Sequence, residues 1–162
     1  MSDIFLLSAT RELVHDYYKE FEADPDIFMD MEQFQPYRYD PQKVDTYYDA
    51  KIDRADRRVF YIMQDSTAVG ELLLKNIDLD AGFCELSIHL KNDTVKNRGF
   101  GTQAEKLALQ YAFEILGLQT VFADCVQKNA RSQHVLEKVG FLPIKEDDRF
   151  KYYRFDRENW SK

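Results

Sequence analysis

The segment Lys96-Asn97-Arg98-Gly99-Phe100-Gly101-Thr102 constrains the fold most, because it leads from a strand-like run into a helix that begins with two glycines one residue apart. Free backbone N–H groups at a helix start carry partial positive charge, and glycine lets an anion approach them without an intervening Cβ. Two cations, Lys96 and Arg98, precede the glycines. The segment therefore predicts a cradle for the phosphates of an anionic cofactor. An ordinary glycine-bearing loop is the alternative interpretation.

Other phosphate-binding loops differ in their context. A Walker loop ends in Gly-Lys-Ser/Thr, and this segment lacks that ending. Residues Gly99 to Ala104 fit the dinucleotide fingerprint G-x-G-x-x-G/A, but that fingerprint requires its first glycine to follow a parallel strand almost directly. Here the predicted strand ends near Leu90, and eight residues, Lys91 to Arg98, intervene. A dinucleotide-binding oxidoreductase is therefore a remote alternative.

Length and charge bound the class of protein. The chain has 162 residues, of which 44% are hydrophobic and 31% are charged, as is typical of one globular domain. The formal net charge of −7 argues against nucleic-acid binding, because no basic face would easily dominate. An acidic protein must hold an anionic cofactor by local positive charge, and its remaining surface favours a cationic substrate.

Cysteine usage and hydropathy indicate the compartment. Cys84 and Cys125 each lie within an apolar strand-like run, so buried free thiols in a reducing compartment are the simplest account. Residues Met1 to Ser8 have no basic leader, and no apolar stretch approaches membrane-spanning length. We therefore expect a cytoplasmic protein without a membrane partner, and we predict no metal site.

Periodicity predicts strands and helices along the whole chain. Asp40-Pro41 is typical of a helix start, and Gly117 is typical of a helix end. The predicted order indicates an α/β (α+β) protein, a mixed sheet with helices on its faces, in a single domain covering residues 1–162. We predict strands at about 4–7, 58–63, 67–74, 83–90, 120–126, 142–146 and 149–155, and helices at about 10–22, 41–55, 101–116 and 130–139.

Five motifs occur in an order that is more specific than any one of them. They are Val69-Gly70-Glu71, Glu85 to Leu90, Lys96-x-x-Gly99-x-Gly101, Asn129-x-x-Ser132 and Lys138-Val139-Gly140-Phe141. Together they resemble the GNAT superfamily of acetyl-CoA-dependent N-acetyltransferases over about the C-terminal two thirds of the chain. The last two motifs resemble the ribosomal-protein alanine/serine N-acetyltransferase branch in particular. The family loop usually begins with Gln or Arg, so Lys96 is a departure.

The resemblance implies a mostly antiparallel sheet in which two parallel strands, Phe83–Leu90 and Thr120–Val126, splay apart. The pantetheine arm of acetyl-CoA would lie in the gap, and its pyrophosphate would bind backbone N–H groups around the two glycines. Asn129 would hydrogen-bond the pantetheine, with a plain helix N-cap as its alternative role. The implied cofactor-binding residues are Ser87, Ile88, His89, Leu90, Lys96, Arg98, Gly99, Phe100, Gly101, Thr102, Asn129 and Ser132.

The resemblance also implies direct attack of an amine, from a small molecule or a protein N-terminus, on the thioester. Glu85 is the first candidate to accept the amine proton, because polar groups on a central strand need a wet cleft or buried partners. A half-exposed, solvated strand is the alternative, and His89 is a second candidate. Many family members protonate the leaving thiolate with a tyrosine four residues before the Gly-Phe glycine. This chain has Leu136 there, and Ser132 is the candidate substitute.

Selection of the acceptor should fall to the segment Asp24–Asp40 and the final hairpin. The acids of that segment suit a cationic amine, and its aromatic residues would wall the cleft. The alternative interpretation is that the aromatic residues cover the core while the acids face water. The missing tyrosine supports a second function, a non-catalytic acyl-CoA-binding sensor or interaction module. For either function we expect a monomer or homodimer.

Overall fold

A computed structural model describes residues 3–25, 34–52 and 54–161. Its strands are β1 (Phe5–Ser8), β2 (Arg58–Gln64), β3 (Thr67–Asp78), β4 (Phe83–Leu90), β5 (Thr120–Val126), β6 (Leu142–Glu146) and β7 (Phe150–Asp156). They form one seven-stranded sheet in the order β1-β2-β3-β4-β5-β7-β6. β4 and β5 run parallel, and the other neighbours run antiparallel. The expected mixed, mostly antiparallel sheet is confirmed.

Four α-helices occur in the described residues: α1 (Arg11–Glu20), α2 (Pro41–Lys51), α3 (Phe100–Gln110) and α4 (Ala130–Val139). The predicted start of α2 is confirmed, because the Asp40 side chain accepts a hydrogen bond from the Gln42 N–H ahead of a first-turn proline. α3 continues as a π-helical turn over Tyr111–Ile115 and stops before Gly117, which has a φ of 71°.

The helices cover both faces of the sheet, and the side-chain alternation of β2 shows how. Phe60 and Ile62 belong to the larger core with α3 and α4, whereas Tyr61 and Met63 belong to a smaller core with α1 and α2. Successive residues of a strand point to opposite faces, so the two pairs of helices lie on opposite sides of the sheet.

The parallel pair separates toward the carboxyl ends of its strands. β4 and β5 are paired from Phe83–Thr120 to Leu86–Ala123 and no further, while β4 stays paired with β3 as far as Leu90. The last four residues of β4 therefore have an open edge toward β5, as the resemblance implies. The Lys91 N–H donates to a carbonyl on β3, so by the alternation of strand N–H groups the Leu90 N–H points to the open edge.

The observed elements differ from the predicted ones mainly at their ends. α2 stops at Lys51 rather than near residue 55, and β3 runs on to Asp78 through a register shift beyond Lys75. Two short 3₁₀ turns, Asp93–Val95 and Arg157–Asn159, were not predicted, because neither has enough periodicity to signal itself. Within the described residues no helix is long and apolar enough to cross a membrane.

Candidate active site

A pocket lies where β4 and β5 separate, and its empty volume, which includes the solvent at its open mouth, is about 650 Å³. The end of β4 forms one wall, the first turns of α3 and α4 form another, and the chain that follows α1 covers the opening. Its lining residues are Phe21, Glu22, Asp24, Ile88, His89, Leu90, Lys96, Gly101, Glu105, Asn129, Arg131, Ser132 and Val135.

The start of α3 forms one end of the pocket, which we call the loop end. Gly99 is the N-cap of α3 in a left-handed conformation with a φ of 80°, and no side chain caps this helix start. A Cβ at Gly101 would lie 3.6 Å from Val135, an ordinary contact on the pocket wall. The uncapped N–H groups of the first turn therefore suit a bound phosphate, because glycine keeps the approach open.

The cations of the loop end are partly neutralised within the protein. Lys96 Nζ lies 2.8 Å from the Asp24 carboxylate and 3.0 Å from the Asp93 carboxylate. Arg131 is 3.8 Å from the same Asp24 oxygen. An incoming diphosphate would meet Lys96 and Arg131 at a point where Asp24 already balances them, so Asp24 weakens anion binding at the loop end.

The start of α4 adds two polar side chains, Asn129 and Ser132. The Asn129 side chain accepts a hydrogen bond from the Ser132 N–H at 3.1 Å, so Asn129 does cap α4. The Ser132 side chain lies near Cys125, a residue of β5 beyond its last pair with β4, and partly offsets the rise in the pKa of that thiol. Burial raises the pKa of Cys125 to about 11, so its thiol stays protonated at neutral pH. Ser132 thus faces the pocket beside an unreactive thiol.

A buried carboxylate lies at the opposite end of the pocket, which we call the His89 end. Glu71 of β3 is 2% exposed and stands directly opposite Tyr61 of β2 and His89 of β4 in the sheet register. It accepts hydrogen bonds from Tyr61 at 2.5 Å and from Tyr18 and Tyr47 at 3.1 Å. His89 Nε2 lies 3.2 Å from the same carboxylate.

These hydrogen bonds decide the charge of Glu71. Burial alone would raise the pKa of Glu71, but the hydrogen bonds from His89, Tyr61 and Tyr18 outweigh it and lower that pKa. Burial and the nearby charge of Glu71 raise the pKa of Tyr18 and Tyr61, so both keep their hydroxyl protons. Glu71 is therefore a buried anion with satisfied oxygens, directly hydrogen-bonded to His89.

His89 connects this anion with the pocket. Its side chain is 30% exposed and lines the pocket, and its Nδ1 lies 2.9 Å from the Tyr17 hydroxyl. If Nε2–H donates to Glu71, Nδ1 accepts from Tyr17 and the ring is neutral. A proton taken up at Nδ1 would make a cation between a phenol and a carboxylate. His89, hydrogen-bonded to the Glu71 carboxylate, is therefore suited to accepting a proton.

Aromatic rings wall the His89 end. The ring centroid of Phe21 lies 5.0 Å from that of His89 and 5.2 Å from that of Tyr37. The Glu22 N–H donates to the Lys91 carbonyl at 2.8 Å, and this bond holds the residues that follow α1 over the end of β4. Two residues of the predicted acceptor segment are thereby placed: Asp24 lines the loop end, and Tyr37 packs against Phe21 at the His89 end. Residues 26–33 of that segment, with Phe28, Met31 and three acids, lie outside the described residues.

Seven of the twelve predicted cofactor-binding residues line the pocket, namely Ile88, His89, Leu90, Lys96, Gly101, Asn129 and Ser132. Arg98 and Gly99 are exposed beside it, Phe100 turns its side chain into the core with 2% exposure, and Ser87 and Thr102 are half-buried outside its lining. Phe100 can therefore offer only its backbone to a ligand. Of the described residues, no group of three or more histidine, cysteine or acidic side chains could hold a metal ion.

The two predicted catalytic residues lie in different places. Ser132 lines the pocket, whereas Glu85 lies four residues before His89 on β4, is hydrogen-bonded with Asn76 and does not line it. The reason is the splay, because Glu85 still belongs to the paired part of β4. Sequence reasoning assigned no role to Glu71 or to Glu105. For Glu71 the available signal was an acid directly before the apolar run Leu72 to Leu74, whereas Glu105, between Ala104 and Lys106, gave no such signal.

Residues 4–142 match the model of the acetyltransferase (GNAT) domain, which is most of the chain. The chain belongs to the GNAT acetyltransferase family. It is therefore an acetyl-CoA-dependent N-acetyltransferase, as the motifs implied, and an open parallel strand pair beside an uncapped glycine helix is what that cosubstrate needs. No curated protein matches the sequence.

Solved structures share the fold over nearly the whole chain. The spermidine N-acetyltransferase from Vibrio cholerae in complex with CoA and spermine is 18% identical, with a TM-score of 0.76 and 96% of each chain covered. A chimera of that enzyme and hSSAT is 20% identical, with a TM-score of 0.76 and 97% of each chain covered. A dodecameric form of the Vibrio enzyme is 18% identical, with a TM-score of 0.72 and 96% and 94% coverage of the two chains.

Proposed function

We propose that this enzyme acetylates a primary amine of a small cationic molecule, and that a polyamine is the first acceptor to test. One observation carries the proposal: a single pocket joins an uncapped helix start at the loop end to a histidine backed by a buried carboxylate at the His89 end. The helix start suits the diphosphate of acetyl-CoA, and the histidine suits removal of a proton from an amine.

Acetyl-CoA would lie along the open edge of β4. The backbone of Ser87 to Leu90 would pair with the pantetheine, and backbone N–H groups of Arg98 to Thr102 would bind the pyrophosphate, with Lys96 adding charge. The Leu90 N–H points to the open edge and would donate to the thioester oxygen as negative charge develops there. Asn129 would bind the pantetheine through its amide N–H₂, because its side-chain oxygen already caps α4.

His89 is our proposed acceptor of the amine proton. It lines the pocket, and Glu71 stabilises the imidazolium that would form. Glu85, the first candidate from sequence, would need a chain of waters past Ser87 to reach the same amine. Direct attack on the thioester then forms the amide C–N bond while the C–S bond breaks, and the Ser132 hydroxyl would hydrogen-bond the leaving sulfur.

The acceptor would enter at the His89 end. Aromatic faces of Tyr18, Phe21 and Tyr37 suit an alkylammonium chain, since cations are attracted to aromatic faces. Glu22 adds an exposed carboxylate to the pocket lining, and the whole chain carries a net charge of −7. The named substrates of the Vibrio relatives, spermidine and spermine, have this chemistry.

Release of CoA thiol, followed by mass spectrometry of the product, tests this proposal. The panel should hold spermidine, spermine, an aminoglycoside, free amino acids and peptides beginning with alanine or serine. Acetylated polyamine supports the proposal, whereas transfer only to the peptides would assign the ribosomal-protein branch instead. His89→Gln should lower kcat about 100-fold. A larger loss in Glu85→Gln than in His89→Gln would return the proton-accepting role to Glu85.

A non-catalytic acyl-CoA sensor is the second candidate, and Leu136 favours it. This side chain is 2% exposed in the core and supplies no hydroxyl where many family members have a tyrosine. CoA binding without release of CoA thiol in the presence of any acceptor would support the sensor.

We further propose one acetyltransferase domain over residues 1–162, as a monomer or homodimer in the cytoplasm, where the two buried thiols Cys84 and Cys125 would stay reduced.

A further inference from the structure

Glu105 is a buried acid with an unpartnered oxygen. It lies on α3, one helical turn after Gly101, and is 1% exposed. Its Oε1 has no hydrogen-bond partner among the described residues. Burial raises the pKa of Glu105 to about 8, so the carboxyl group is mostly protonated at neutral pH. A buried acid without a partner lowers the stability of the fold. The other buried residues of α3 are apolar, so they give the carboxyl group of Glu105 no structural role.

The position of Glu105 is more informative than its burial. Glu105 lines the same pocket wall as Gly101, Ser132 and Val135, opposite the open edge of β4. Ser132, the residue proposed to meet the leaving sulfur, lines that pocket too, and the charge of Glu105 contributes slightly to the raised pKa of Cys125 on β5. A carboxylic acid therefore lines the same pocket as Ser132 and the open end of β4.

We propose that Glu105, in its protonated form, is the general acid that delivers a proton to the sulfur of CoA as the thioester breaks. This inference rests on the proposed function. Leu136 has no proton to give, and Ser132 can hydrogen-bond the sulfur but is a much weaker acid than a carboxyl group. Glu105 supplies the missing donor from a different helix, α3 instead of α4.

The step balances in protons and electrons. The amine nitrogen forms the C–N bond, the C–S pair leaves on sulfur, the Glu105 O–H bond breaks and the S–H bond forms. The amine attacks in its neutral form and loses one N–H proton to His89, which returns it to solvent, and Glu105 is reprotonated from solvent through the open pocket. A thiol and a carboxyl group with a pKa of about 8 are closely matched, which favours efficient transfer.

Other ionisable groups around the pocket will contribute to its pH dependence. They are Cys125 from β5, His89 from β4, Lys96 from the loop, Arg131 from α4, and Glu22 and Asp24 from the chain after α1. The test therefore compares variants at position 105 across pH rather than one profile alone.

The first experiment uses Glu105→Gln and Glu105→Leu, with Glu158→Gln, an exposed acid of the C-terminal turn, as the matched control. We expect kcat to fall about 100-fold in both variants while the Kd for CoA changes less than about threefold. We also expect wild type to lose kcat at alkaline pH, as Glu105 ionises, and both variants to show no such loss. Unchanged kcat, or a weaker Kd that accounts for the whole loss, would overturn the proposal and leave Glu105 as part of the pocket wall.

The second experiment does not depend on finding an acceptor. Infrared difference spectroscopy should detect a protonated carboxyl band at pH 7 that is absent from Glu105→Gln, and CoA should shift that band. Absence of the band in wild type, or no shift on saturation with CoA, would overturn the proposal. If wild type acetylates no amine but the band shifts, the proposed function fails while contact between Glu105 and CoA is established.

Discussion

The two ends of the pocket are built in different ways. The loop end uses backbone groups and short contiguous segments, chiefly Lys96–Thr102 and Asn129–Ser132. The His89 end depends on side chains from five separate elements, namely Tyr17, Tyr18, Tyr47, Tyr61, Glu71 and His89. A cosubstrate common to a whole family can be bound by local geometry, whereas the acceptor needs an arrangement that only tertiary packing creates.

The largest expected effect is the loss of acetyl-CoA binding when the loop end is altered. Gly101→Asp puts a carboxylate where the diphosphate would bind, and two like charges about 4 Å apart in a partly buried site cost roughly 4 kcal/mol. We therefore expect Kd for acetyl-CoA to rise about 1000-fold by calorimetry. Gln110→Asp, at the far end of α3, adds the same charge as a control. Normal binding by Gly101→Asp would remove the phosphate role from this helix start.

The next largest effect is a loss of stability when the buried carboxylate of the His89 end is replaced. Glu71→Gln removes a buried anion that four side chains surround, and losing one partner of such a network costs about 3–5 kcal/mol. Since the pKa of Glu71 is lowered in the folded state, its contribution is complete above the unfolded-state pKa of about 4.3. It is lost as pH falls through the folded-state pKa.

Urea unfolding of wild type and Glu71→Gln at pH 7 and pH 4 measures this difference. The gap in the free energy of unfolding should narrow at the lower pH, and Kd for acetyl-CoA at pH 7 should stay within about threefold of wild type. A gap of equal size at both values of pH would mean that packing, and not the charge of Glu71, stabilises the His89 end.

The ease of predicting the two ends from sequence differs for the same physical reason. Both glycines, the Asp40 cap and β4 were predictable because each depends on neighbours within a few residues. Glu71 was not, because its role follows from the register that sets it opposite Tyr61 and His89. Glu85 looked equivalent to His89 by strand alternation, and only the point where β4 and β5 separate distinguishes them.

A third effect compares the two buried acids, since their pKa values shift in opposite directions. Glu105 has its pKa raised from about 4.3 in the unfolded chain to about 8, so the unfolded chain releases its proton first. Wild type should therefore lose up to about 1.4 kcal/mol of stability per pH unit between these values, relative to Glu105→Gln.

Thermal unfolding of wild type and Glu105→Gln at pH 5, 6, 7 and 8 gives the result directly. As the pH rises, the stability of Glu105→Gln relative to wild type should increase at each step. This is the reverse of the trend for Glu71→Gln. Parallel curves across this range would mean that Glu105 is ionised in the folded protein, and the contrast between the two acids would disappear.

The smallest effect separates two roles of one residue at the loop end. Asn129 caps α4, and replacing such a cap by alanine costs about 1 kcal/mol, whereas serine keeps it. Asn129→Ala should therefore lower stability and Asn129→Ser should not. If Asn129 also donates its amide to the pantetheine, both variants should weaken acetyl-CoA binding by a similar factor of about 3–10, since a neutral hydrogen bond contributes about 0.5–1.5 kcal/mol. Normal affinity in Asn129→Ser would restrict Asn129 to the cap, and the loop end would then bind its ligand through backbone and cations alone.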